Sequence, residues 1–217
     1  MTKKALILVD IQNDFMPEGG LAVPEGNEII EPANDMIKFA KSQDWLIVAT
    51  QDWHPANHGS FASNNDAEPF SMGELDGLEQ VMWTDHCVEE SVGAMFHPLL
   101  LVEYIDEIVR KGTNPLVDSY SGFFDNAKRG DTGLHDILQR EGVEEVYILG
   151  LARDYCVAFT AQDAVSLGYK TNLVVDATRA VNFPNGSDGD AIIAMLKAGI
   201  TFINSYIITN FAKKLKE

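Results

Sequence analysis

Cysteine is scarce in this chain of 217 residues. Only Cys87 and Cys156 occur, too few for a disulfide framework, so a reducing cytoplasm is the expected compartment. Basic residues are few as well. Lys and Arg number 16 against 33 Asp and Glu, a formal net charge of −17. Nucleic acid and anionic membrane would be repelled by such a surface, and neither is expected as a partner. The acidity itself reads as a solubility device. Long apolar runs are also lacking, since none approaches the roughly 20 residues that cross a bilayer. The start, MTKKALILVD, sets two lysines before a short apolar stretch, but that stretch ends at Asp10 and no small-residue cleavage site follows. A buried first strand is expected there, not a signal peptide.

What the chain does contain is ordinary for a folded protein: 46% hydrophobic and 23% charged residues. A chain of this length fits one domain that buries roughly 70% of its unfolded surface, so residues 1–217 are read as a single domain. Apolar, β-branched runs fall at residues 5–10, 45–50, 105–111, 146–151, 171–176 and 201–208. Amphipathic stretches with helical spacing lie between several of them. In residues 25–43, Ile29, Ile30, Ala33, Met36, Ile37 and Ala40 lie near one face. Others are GLHDILQREG, YCVAFTAQDAVSLG and DAIIAMLKAG, all three stopping at a glycine of C-cap type. Strands apolar on both faces and separated by helices predict an α/β fold, with a mostly parallel sheet covered on both sides. The stretch at about 54–98 breaks this rhythm. It is rich in Asn, Ser, Gly and Pro, too long for a simple connection, and is read as a functional insertion.

In an open parallel sheet, ligands bind beyond the carboxyl ends of the strands. Asp10 stands there after the first strand, Asp52 and His54 after the second, Lys111 at the end of the third, Cys156 shortly after the fourth and Asp176 at the end of the fifth. A free cysteine is most often a small buried hydrophobe. Cys156, however, falls in the first turn of a predicted helix, where unpaired N–H groups and the helix dipole favour an anion and lower a thiol pKa. An ammonium at Lys111 would favour thiolate and hold Asp10 in position. Asp10 could take the thiol proton and return it to a leaving amine. Cys87 lies in the irregular stretch with no helix start and is read as structural.

The stretch QDWHPANHGSF adds a second signal. Asp52 and His54 are two apart, so on extended backbone they point to the same side, a spacing suited to two ligands on one ion. Carboxylate plus imidazole favours Zn²⁺, Mn²⁺ or Fe²⁺. His86, in MWTDHCV, offers a third ligand, and His58 is open as a fourth.

The motifs LVDIQNDF, QDWHPANHGSF, WTDHCV, KGTNPLVDSYSGFFDN and GLARDYCVAFTAQDAVSLGY together resemble those of bacterial nicotinamidases (pyrazinamidases), within the isochorismatase-like cysteine hydrolases. Five separated motifs agree in order and spacing from Lys4 to about Asn182. The resemblance implies a six-stranded parallel sheet and a triad at Asp10, Lys111 and Cys156. It also implies one divalent ion, zinc foremost, at Asp52, His54 and His86, which makes the irregular stretch an insertion for metal and substrate. The Ala152 and Cys156 amides match the family's oxyanion hole, the Leu151–Ala152 peptide matches a cis bond, and Phe15, Leu21, Trp83 and Tyr120 match positions that pack a substrate ring. The implied substrate is nicotinamide, with its ring nitrogen on the ion, and pyrazinamide is the implied second. One departure is Arg153, which stands where a small residue is usual and could crowd or charge the pocket rim. The chain is compatible with a homo-oligomer.

Four rival readings have distinct signatures. A sibling amidohydrolase would act on another small amide. Isochorismatase-type chemistry leaves Asp52, His54 and His86 without a role. A metal-bound hydroxide as nucleophile would make Cys156 dispensable. A non-catalytic binding protein on this scaffold would release no ammonia from an amide.

Overall fold

A computed structural model describes residues 2–214 of the chain. The expected apolar runs form β1 (Lys3–Val9), β2 (Leu46–Asp52), β5 (Glu107–Lys111), β6 (Val143–Leu151), β7 (Lys170–Arg179) and β8 (Thr201–Ile203) of one six-stranded sheet. A separate antiparallel hairpin, β3 (Met72–Leu75) and β4 (Leu78–Val81), lies between β2 and β5. The strand order is β5-β2-β1-β6-β7-β8, and every neighbouring pair is parallel.

Alternation along the central strands divides the core in two. Leu6 and Leu8 of β1 point into one layer, while Ala5, Ile7 and Val9 point into the other. All five are essentially inaccessible to solvent, and burying a Leu or Ile side chain fully is worth about 1.5–3 kcal/mol. Helix α1 (Ile30–Ser42) and α5 (Ser205–Lys214) cover the first layer. Helices α2 (Leu134–Arg140), α3 (Ala158–Ser166) and α4 (Ser187–Lys197) cover the second. Gly168 and Gly199, at φ of 89° and 85°, end α3 and α4 in the left-handed conformation that a Cβ disfavours.

The chain steps outward from β1 through β2 to β5, then crosses back and steps the other way from β6 through β7 to β8. Right-handed crossovers put helices on opposite faces when the direction reverses. The reversal falls between β1 and β6, and a crevice opens above their carboxyl ends. Asp10 and Ala152 are the first residues beyond those ends.

Two expectations are corrected. The run at 201–208 is not one strand: β8 stops at Ile203 and α5 begins at Ser205. Asp176 of β7 accepts from Ser205 N at 2.8 Å and from its hydroxyl at 2.5 Å. The Asn204 side chain accepts from Tyr206 N at 3.0 Å, so an N-cap and a carboxylate from a neighbouring strand together fix the helix start and override the strand preference of the β-branched residues that follow. The stretch at 54–98 is likewise not wholly irregular, because it holds the β3–β4 hairpin.

Candidate active site

Four strands bring their ends together at the crevice. Asp10 leaves β1 with φ of 47°, a left-handed conformation that aspartate tolerates better than most residues. Thr50 of β2 holds it from both sides: its hydroxyl donates to Asp10 Oδ1 at 2.6 Å and accepts from Asp10 N at 3.2 Å. Lys111 closes β5 with only 1% of its surface exposed. Its ammonium lies 2.9 Å from Asp10 Oδ2 and 3.1 Å from Asp52 Oδ1, and donates to Ser119 O at 2.8 Å and to Cys156 Sγ at 3.3 Å. Acid, ammonium and thiol, distant in sequence, are thus within contact of one another.

The electrostatics follow from burial. It would push the lysine down, yet Asp10 and Asp52 hold the ammonium well above its usual range. Burial also pushes the Asp10 carboxyl up, and Lys111 only partly reverses this. For Cys156, burial pushes the thiol well up, with Lys111 pulling the other way. Burial thus acts against the lowering expected from the helix start. Cys156 lies inside a π-type turn, Arg153–Val157, ahead of α3. Its sulfur stands beside a carboxylate able to take its proton.

Next to this group, Asp52, His54 and His86 present donor atoms that all lie within 4.8 Å of one another. Gln12 fixes the backbone of Asp52, its amide donating to Asp52 O and its carbonyl accepting from Asp52 N, each at 2.8 Å. His54 Nδ1 faces Gly112 O at 2.9 Å and His86 Nδ1 faces Thr84 O at 2.7 Å. A carbonyl only accepts, so each Nδ1 carries a proton and each Nε2 is the atom left to meet a cation as a lone pair; with none bound, Asp52 raises the His54 pKa against the effect of burial. The two Nε2 atoms lie 3.0 and 3.5 Å from Asp52 Oδ2. His54 Nε2 has no aligned hydrogen bond despite its burial. A buried carboxylate beside two such nitrogens is an arrangement for a cation, and the donor set fits a divalent ion such as zinc. His58 Nδ1 lies 2.7 Å from the Ser60 hydroxyl, and burial with the nearby His54 lowers its pKa to about 4. Its buried Nε2 has no hydrogen-bond partner among the described residues, and His54, His58 and Asp118 form a second group whose ligand atoms lie within 4.8 Å of one another.

Both groups open on one small pocket. Phe15, Leu21, Trp83 and Tyr120 line it together with Asp52, His86, Ala152 and Cys156, so every ring-packing residue expected from the sequence stands at its wall. Trp83 Nε1 donates to the Tyr120 hydroxyl at 3.2 Å. The Leu151–Ala152 peptide is cis. Sequence reasoning missed Asp118, Tyr155 and Val181, which also line the pocket. Tyr155 adjoins Cys156 and Asp118 lies two residues from Tyr120, so proximity within a motif was the only signal. Arg153 turns away from the pocket. It forms a two-pronged pair with Asp188 at 2.8 and 2.7 Å and reaches the Thr178 hydroxyl at 3.3 Å, so it does not crowd the rim. Asp176 is occupied at the start of α5 and is no part of the site.

Comparison with known proteins gives the family and the fold. Residues 4–205 match the isochorismatase domain. The nicotinamidase of Escherichia coli K12 is 50% identical over 201 residues, covering 93% of this chain and 94% of that protein. The structure of an Acinetobacter nicotinamidase/pyrazinamidase superposes with a TM-score of 0.90 at 40% identity, covering 94% of this chain and 97% of the other. A Pyrococcus horikoshii pyrazinamidase solved with zinc superposes with a TM-score of 0.77 at 38% identity, covering 93% and 99%.

Proposed function

The chain belongs to the isochorismatase domain family, and we propose that it is a metal-dependent cysteine amidohydrolase converting nicotinamide to nicotinate and ammonia. The observation that carries this reading is Lys111, whose ammonium touches Asp10, Asp52 and the Cys156 sulfur at once. It joins a nucleophile and its base to a cation-binding carboxylate at the wall of one small pocket. The 50% identity to a nicotinamidase supports the choice of substrate.

Asp52, His54 and His86 would hold one divalent ion, zinc foremost. When bound, it supplies a Lewis-acid seat for the pyridine nitrogen. The chain's own residues do the rest. Phe15, Leu21, Trp83 and Tyr120 enclose the ring and exclude water. Asp10, its pKa raised by burial, accepts the Cys156 proton as the sulfur bonds to the carboxamide carbon. The Ala152 and Cys156 amides receive the oxyanion, and one such donor is typically worth about 10²–10³ in rate. Collapse expels ammonia with the proton returned by Asp10. Water, deprotonated by the same carboxylate, then cleaves the thioester and frees nicotinate and the thiol. Pyrazinamide, with a nitrogen at the matching ring position, is a second substrate. Residues 1–217 act as one hydrolase domain in which the stretch at about 54–98 supplies metal and ring contacts.

The test is ammonia release from nicotinamide by zinc-loaded protein, repeated with Cys156→Ala. The variant should lose turnover and keep its zinc. A variant that stays active while chelation abolishes activity would favour a metal-bound hydroxide as nucleophile.

A further inference from the structure

Asp118 has no part in the chemistry above, yet its carboxylate lines the pocket and is only 3% exposed. Its Oδ1 accepts from Ser119 N at 2.8 Å and its Oδ2 from Gln80 Nε2 at 2.9 Å. Both oxygens act as acceptors, which is the behaviour of an ionised carboxylate. It stands on the metal side of the pocket, its nearest oxygen within 4.8 Å of the donor nitrogens of His54 and His58.

A fixed negative charge is costly to bury and needs a purpose here. Lys111 and a bound divalent ion would bring positive charge to the site, which Asp10 and Asp52 offset. Asp118 adds a further carboxylate on the metal side of the pocket, and without it the pocket would be more positive at the ring's far end. Such a pocket would grip the carboxylate product more tightly than the uncharged substrate, because Coulomb forces in a dry site are strong.

We propose that Asp118 sets this balance, making it the residue that lets the pocket take a neutral carboxamide and reject the anion it becomes. The proposal rests on the amidohydrolase reading. Gln80, on β4, has its amide against Asp118, Tyr120 and the backbone, so the charge is held in place from the hairpin.

The experiment is calorimetric titration of nicotinate and of nicotinamide into zinc-loaded Cys156→Ala, which cannot turn over, and into Cys156→Ala/Asp118→Asn. Removing the charge should tighten nicotinate by about tenfold or more and change nicotinamide by less than about threefold, the asymmetry a charge at this range imposes. Equal changes for the two ligands, or no gain for nicotinate, would overturn the proposal. Cys156→Ala alone provides a second test that does not depend on the double variant folding. Nicotinate should bind it more weakly than nicotinamide, and tighter nicotinate binding would also overturn the proposal. Failure of the amidohydrolase reading looks different: zinc-loaded wild type would release no ammonia from nicotinamide.

Discussion

Lys111 is the residue on which the site turns. Its ammonium is the only cation in contact with both Asp10 and Asp52 among the described residues, and all three side chains are almost wholly inaccessible. Lys111→Met would keep the volume and leave two carboxylates without their counter-charge. Removing one partner of a buried ion pair typically costs about 3–5 kcal/mol. Urea unfolding of metal-free protein should therefore show a loss of that order, with turnover gone. A loss below about 1 kcal/mol would mean the carboxylates are relaxed by water. Lys111 was legible in the sequence because a cation ending an apolar strand is out of place, and Cys156 because it opens a helix. Asp118 was not, since nothing local marks a carboxylate that becomes buried only when β4 and the ring-packing segment close over it. Burial of the Cys156 thiol was hidden for a related reason: a helix start is visible in sequence, whereas the depth at which it lies is not.

At the scale of elements, hydrophobic periodicity located all six strands of the sheet and the four amphipathic helices. Fully buried parallel strands are near-continuous apolar runs, so they stand out. The reading failed at the last run. Ile207 and Ile208 suggest a strand, but the Asp176 carboxylate, reaching over from β7, takes Ser205 N, and the Asn204 side chain takes Tyr206 N, which starts α5 instead. Asp176→Ala should cost about 0.5–2 kcal/mol, the usual worth of such a cap, and loosen α5 without touching catalysis. Hydrogen exchange of residues 205–210 and the KM for nicotinamide measure the two effects separately. A normal exchange pattern would show that the Asn204 cap and packing on α1 suffice to set the helix start. Gly150 makes a sterner case in the sheet centre. A Cβ there would lie 2.0 Å from Val9 O at a φ of 123°, so Gly150→Ala should unfold at markedly lower urea than wild type.

For the molecule as a whole, the fold explains why such distant residues meet. The strand order reverses between β1 and β6, and the crevice at that reversal collects Asp10 from one half and Ala152 and Cys156 from the other. Asp52, His54 and Lys111 come from the next two strands, and His86 from the long connection. No helix among the described residues is long and apolar enough to cross a membrane. Removing the ion should leave the fold in place while reducing its stability, because a ligand that binds only the native state stabilises it by mass action. Dialysis against a chelator should abolish ammonia release and lower Tm, and stoichiometric zinc should restore both. Full activity of protein shown by elemental analysis to be metal-free would remove the ion from the mechanism. The central claim is that the Cys156 sulfur is acylated by the substrate. Rapid acid quench of the zinc-loaded enzyme during turnover of nicotinamide, followed by peptide mass spectrometry, tests it directly. A nicotinoyl group on the peptide carrying Cys156 is the predicted result; turnover with that cysteine never modified, and persisting in Cys156→Ala, would contradict it.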